Sequence, residues 1–119
     1  MQTSFSFSNP LLYIFVLVQM HLYTGLFITA HDAMHGTVAP KHAKINFAIG
    51  QTATLFYALF PLKKLNKKHH LHHQFVHSDQ DPDYHNGHFF AWYFQFIKQY
   101  ITWWQVVAMA IIYNVLKLW

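Results

Sequence analysis

Residues 11–30 make an apolar run that opens directly onto the pattern His31-x-x-x-His35. About 20 apolar residues coiled as a helix match the hydrocarbon core of a bilayer, so this stretch is read as a spanning helix. Gln19 and His21 lie inside the run and are expected to face protein, because polar groups are costly in hydrocarbon. A secretory signal is not indicated. No basic segment precedes the run, and it ends in histidines rather than at a small-residue cleavage site. Gly36 and Pro40 predict that the helix stops within the polar stretch 31–44.

The composition suits a chain whose surface meets lipid. Apolar residues are 54% and charged residues only 10%, whereas about 25% of a soluble domain is charged. In water such a surface would expose large apolar patches that associate. The net charge of +4 comes without a single Arg. The Lys residues sit beside apolar segments, which fits a membrane surface and argues against a nucleic-acid partner. The absence of Cys excludes thiolate zinc sites, iron–sulfur clusters and a Cys nucleophile. The absence of Glu excludes the carboxylate di-iron bundles built on Glu and Glu-x-x-His. Eleven His remain, so any metal chemistry rests mainly on imidazole.

A second apolar stretch, residues 45–62, contains Gly50, Gln51, Thr52 and Thr54 and is short for a span. Lys63, Lys64, Lys67 and Lys68 follow at once. Residues 63–88 are polar and His-rich. Residues 89–100 carry rings at a density typical of a membrane–water interface. Residues 101–119 are apolar again and just long enough to span. The expected fold is all-α and integral to the membrane, in one domain over residues 1–119. It has spanning helices near 11–30 and 101–119, an interfacial helix near 45–62, a His-rich segment and an aromatic interfacial stretch.

The chemistry lies in two histidine boxes. His31 and His35 stand four apart, which on a helix places both imidazoles on one face. The second box, His69-His70-Leu71-His72-His73, contains His-x-x-His-His. Helical spacing gathers His69, His72 and His73 on one side and turns His70 elsewhere. So many neighbouring His and Lys would repel one another if protonated, and metal binding requires neutral imidazole. The expected ligands are His31, His35, His69, His72 and His73. Asp32, Asp81 and Asp83 lie where carboxylates could accept the distal N–H of a ligating His. His77, His85 and His88 are further ligand or supporting candidates. Imidazole suits Fe, Zn and Cu alike, so the ligand type leaves the metal open.

Both boxes can share one centre only on one side of the membrane. A single crossing at 45–62 would separate them, so that segment is expected to be interfacial or re-entrant. Lys41, Lys44, Lys63, Lys64, Lys67, Lys68 and Lys98 then share a side, which the positive-inside rule makes cytoplasmic.

The boxes resemble those of the membrane fatty-acid desaturase/hydroxylase superfamily, which carries His-x(3,4)-His, His-x-x-His-His and a later His-x-x-His-His. Within it, the wording from Leu22 to Thr37, from Lys68 through His73, and in Asp81-Pro82-Asp83-Tyr84-His85-Asn86-Gly87 followed by Phe89-Phe90-Ala91-Trp92-Tyr93 is similar to bacterial β-carotene ketolases. The resemblance implies a centre of two non-haem irons and O2 as co-substrate. It also implies an apolar carotenoid (or acyl) substrate, oxidation of ring carbon 4 to a ketone, an electron donor such as ferredoxin, and a bacterial inner membrane or its equivalent. The later box does not occur in these 119 residues. The chain is therefore expected to be truncated and inactive as it stands, with weak residual metal binding at His69, His72 and His73. Three rival readings stay open. A fatty-acid desaturase needs the same boxes. A zinc metallopeptidase is suggested by His31-Asp32-x-x-His35, but that motif needs Glu as base. A membrane metal-binding protein without catalysis is the third.

Overall fold

The computed structural model describes residues 7–85 and 87–118. Among them every regular element is a helix: α1 Pro10–Met34, α2 Ala43–Ala58, α3 Leu62–Phe75, α4 Phe89–Tyr100 and α5 Trp103–Lys117.

The start of α1 is set locally. Asn9 accepts the Leu11 N–H on its side chain at 3.0 Å, and Pro10 takes the first helical position, where no N–H is needed. The helix has 25 residues, about 37 Å at 1.5 Å per residue. It is apolar on all sides, and its most apolar window has none of its residues buried. A helix like that lacks the single core-facing stripe of a surface helix in a soluble domain. α1 ends at Met34, four residues beyond the apolar run, with His35 as its cap and Gly36 following at φ 74°. His31 is therefore helical, and His35 caps the same helix.

The last turn of α1 is tied down by groups from further along the chain. Thr37 donates both its N–H (3.0 Å) and its hydroxyl (2.9 Å) to the Asp32 carbonyl. Asn46, buried on α2, donates Nδ2–H to the Ala33 carbonyl at 2.7 Å. These bonds satisfy carbonyls that a helix end leaves without partners.

The stretch 45–62 is not one helix. α2 ends at Ala58 because Leu59 turns left-handed (φ 57°), and α3 starts at Leu62 with its axis bent 97° from that of α2. Gln51 staples the corner: Nε2–H donates to the Phe60 carbonyl (3.1 Å), and Oε1 accepts the Leu62 N–H (3.0 Å). Gly50 is the point of closest approach. A Cβ there would lie 2.5 Å from Ala33 Cβ and 2.8 Å from Leu62 Cδ2, so α1, α2 and α3 meet where only a glycine fits. Much of the 63–88 segment is likewise helical, through Phe75.

A loop then leads to α4, whose Phe89, Phe90, Tyr93 and Phe94 are exposed. α5 opens with a capping box between Thr102 and Gln105, and Gln105 Nε2–H reaches the Ala58 carbonyl (3.2 Å), tying α5 to the end of α2. α5 has 15 residues, about 22 Å. Among the described residues, α1 is the helix that by itself is long and apolar enough to cross a bilayer.

Candidate metal centre

The sharp corner between α2 and α3 returns the chain to the end of α1, and this brings the two histidine boxes together. His31, His35, His69 and His73 each offer one ring nitrogen, and the four nitrogens lie within 4.8 Å of one another. His69 Nε2 is 2.9 Å from His35 Nε2 and 3.1 Å from His73 Nε2. The His31 ring centroid is 4.7 Å from that of His35 and 4.8 Å from that of His69.

The donor set fits a cation better than it fits a hydrogen-bond network. A ring nitrogen carries either an N–H or a lone pair, never both. His69 Nε2 can therefore serve one of its two close neighbours well, but not both. Nitrogens bound at about 2.0–2.1 Å to one tetrahedral metal ion lie roughly 3.3 Å apart, close to the two short spacings around His69. Electrostatics agree. Desolvation, and then the neighbouring His73, His31, His35 and His70, push the His69 pKa down to about 4. Desolvation first, then His31 and His73, also lowers that of His35. Both shifts keep imidazole neutral, the form that binds metal.

His72 takes a different direction. On α3 it stands about 60° from His69 and His73 about 40° on the other flank, and the fold turns the His73 flank to α1. His72 Nδ1 lies 2.9 Å from Asp81 Oδ1 and 3.7 Å from Asp83 Oδ2. A carboxylate only accepts, so Nδ1 carries the proton and Nε2 keeps the lone pair. Asp81 is buried. Burial alone would raise its pKa, but the Asp83 N–H, His72 and the His77 N–H bond its oxygens and hold it below the usual carboxylate value. The bond to Asp81 raises the His72 pKa. The grouping expected for one ion, His69 with His72 and His73, thus differs from what converges: His31, His35, His69 and His73 form one group, and His72, Asp81 and Asp83 another.

The remaining candidates are placed as follows. His70 turns away, with Nδ1 2.8 Å from the Asn66 carbonyl. Asp32 Oδ1 lies 3.4 Å from His31 Nδ1, a long contact. His77 has a left-handed backbone (φ 59°) and packs its ring on Tyr84. His77, His85 and His88 belong to neither group among the described residues. Sequence reasoning missed Asn46 and Gln51, which set the corner, and Tyr100 and Trp92, which hold Asp83. Their partners are 9 to 17 positions away, and no spacing rule reaches that far. An open groove of about 370 Å³, lined by Leu26, Thr29, Ala48, Ile49, Thr52 and Ala53, runs between α1 and α2.

A family model described as fatty acid desaturase matches residues 8–119. Among curated proteins, the chain is 46% identical over 92 residues to a β-carotene 4-ketolase of Protosiphon botryoides, covering 75% of this chain and 24% of that protein. It is 42% identical over 106 residues to a β-carotene ketolase of Paracoccus sp. (strain PC1), covering 88% and 44%. It is 43% identical over 100 residues to a zeaxanthin 4-ketolase of Chlamydomonas reinhardtii, covering 82% and 22%. The chain thus spans less than half the length of each of these relatives. No solved structure matches significantly.

Proposed function

The chain belongs to the fatty acid desaturase family, and on that premise we propose that its two boxes serve a β-carotene ketolase, a membrane oxygenase that converts the methylene at ring carbon 4 into a ketone. The observation that carries this reading is the convergence of four imidazoles from two distant boxes onto one point, in a chain whose named relatives are ketolases. His31, His35, His69 and His73 would hold the metal, with His72 contributing Nε2 once Asp81 has fixed its ring. Two non-haem irons held there would supply O2 activation. Each of two rounds takes one O2, two electrons and two protons, inserts one oxygen atom and releases one water. Loss of a further water from the twice-oxidised carbon leaves the ketone. The electrons come from a partner such as ferredoxin.

The chain's own residues position this chemistry. α1 crosses the bilayer, α2 and α3 form a re-entrant corner, α4 lies in the interface and α5 belongs to a second span, so both boxes share the cytoplasmic face. The α1–α2 groove, which contains Thr29 two residues before His31, gives an apolar chain a place beside the boxes. A relative named for zeaxanthin favours a second substrate reading, a ring already hydroxylated next to the oxidised carbon.

The test is a chimera in which residues 8–119 replace the matching segment of the Paracoccus ketolase, expressed in hosts that accumulate β-carotene or zeaxanthin. Ketocarotenoids are expected, and His69→Ala in the chimera should abolish them. New unsaturated fatty acids with unchanged carotenoids would overturn the ketolase reading in favour of a desaturase.

A further inference from the structure

Asp83 is the hub between the second box and α4. Its backbone N–H donates to Asp81 Oδ1 at 2.9 Å, the same oxygen that accepts His72 Nδ1–H. Its carboxylate accepts the Tyr100 hydroxyl on Oδ1 at 2.5 Å and presents Oδ2 3.7 Å from His72 Nδ1. Its carbonyl accepts Trp92 Nε1–H at 2.8 Å. Two side chains of α4 therefore grip the residue that completes the cradle around His72. A hydroxyl on a carboxylate at this distance is among the strong, charge-assisted bonds. Burial first, then the bond to Asp83, pushes the Tyr100 phenol well above its ordinary value, so it remains a donor. Lys68 adds a second tie between α3 and α4 beside the same tyrosine: its ammonium donates to the Gln99 carbonyl at 2.6 Å and lies 4.3 Å from the Tyr100 ring centroid.

We propose that Tyr100 is a positioning residue for the metal centre: by clamping the Asp83 carboxylate, it fixes the Asp81–His72 bond and with it the direction of the His72 ring. The proposal deepens the metal reading above and rests on it for its consequence, though not for its geometry. Groups that orient ligating histidines typically change metal affinity about 10- to 100-fold when removed. Neither box spacing nor the Asp-Pro-Asp stretch points to a residue 17 positions beyond Asp83.

The test uses the whole chain in detergent, metal-free, with its histidines labelled with nitrogen-15. In the wild type, His72 Nδ1–H should be protected from exchange with water. Tyr100→Phe should speed that exchange about tenfold or more, whereas Phe96→Leu, which trims the ring packed on Tyr100 and leaves the hydroxyl in place, should not. If α4 served only as packing, both variants would act alike, and the proposal would fail. Asp83→Ala is a second probe that removes the acceptor and keeps the backbone N–H; Tyr100→Phe added to it should produce no further change. A cobalt(II) titration then reads the consequence, with Tyr100→Phe weakening binding about tenfold. If the wild type bound no cobalt, the metal reading would fall while the exchange data still decided the clamp. Exchange within twofold of wild type in both Tyr100→Phe and Asp83→Ala would overturn the proposal.

Discussion

His69 sits between His35 and His73, and its proton balance carries the electrostatics of the centre. Unfolded, its imidazole titrates near 6.5; folded, near 4. Between those values the unfolded chain holds a proton that the native one refuses, so stability falls as pH drops from 6.5 to 4. His72 has the opposite sign. Its pKa is raised, so its contribution is full below 6.5 and lost as pH rises through the folded value. That of Asp81, lowered, is present above 3.8 and lost as pH falls through its folded value. The thermal midpoint of the metal-free protein in detergent is expected to drop between pH 6.5 and 4, and His69→Gln should flatten that drop. An equal slope in the variant would show that the shift lies elsewhere.

At the scale of elements, the corner decides everything downstream. Gly50 leaves no room for a side chain between Ala33 and Leu62. Gly50→Val should cost about 1–3 kcal/mol by overpacking, seen as a lower midpoint in denaturant. Asn46→Ala removes a buried bond to the Ala33 carbonyl and should cost about 1–3 kcal/mol; a loss below 0.5 kcal/mol on that scale would mean water replaces the amide. The all-helical class and the pairing of His31 with His35 were legible in apolar runs and in four-residue spacing, because both are local properties; that the polar stretch up to Phe75 forms α3 was not. The break at Leu59 was not: a left-handed leucine carries no turn signature, and the bend is held by Gln51 reaching across nine residues to Phe60. The flank of α3 that meets α1 was equally hidden. His-x-x-His-His offers His72 and His73 on either side of His69, and only tertiary packing chooses His73.

For the molecule as a whole, the proposed topology puts both boxes on one side of the membrane. Cysteines placed at Thr37 and Gln74, both exposed, should be labelled by the same impermeant reagent from the cytoplasmic face. Labelling from opposite faces would separate the boxes and dissolve the shared centre. Whether His31, His35, His69 and His73 act as one centre is read most directly by a cobalt(II) titration of the protein and its alanine variants. His35→Ala and His69→Ala should each remove the same ligand-field absorption, and the double variant should lose no more than either single one. Independent, additive losses from the two boxes, or cobalt binding untouched by His35→Ala, would contradict a centre built from both.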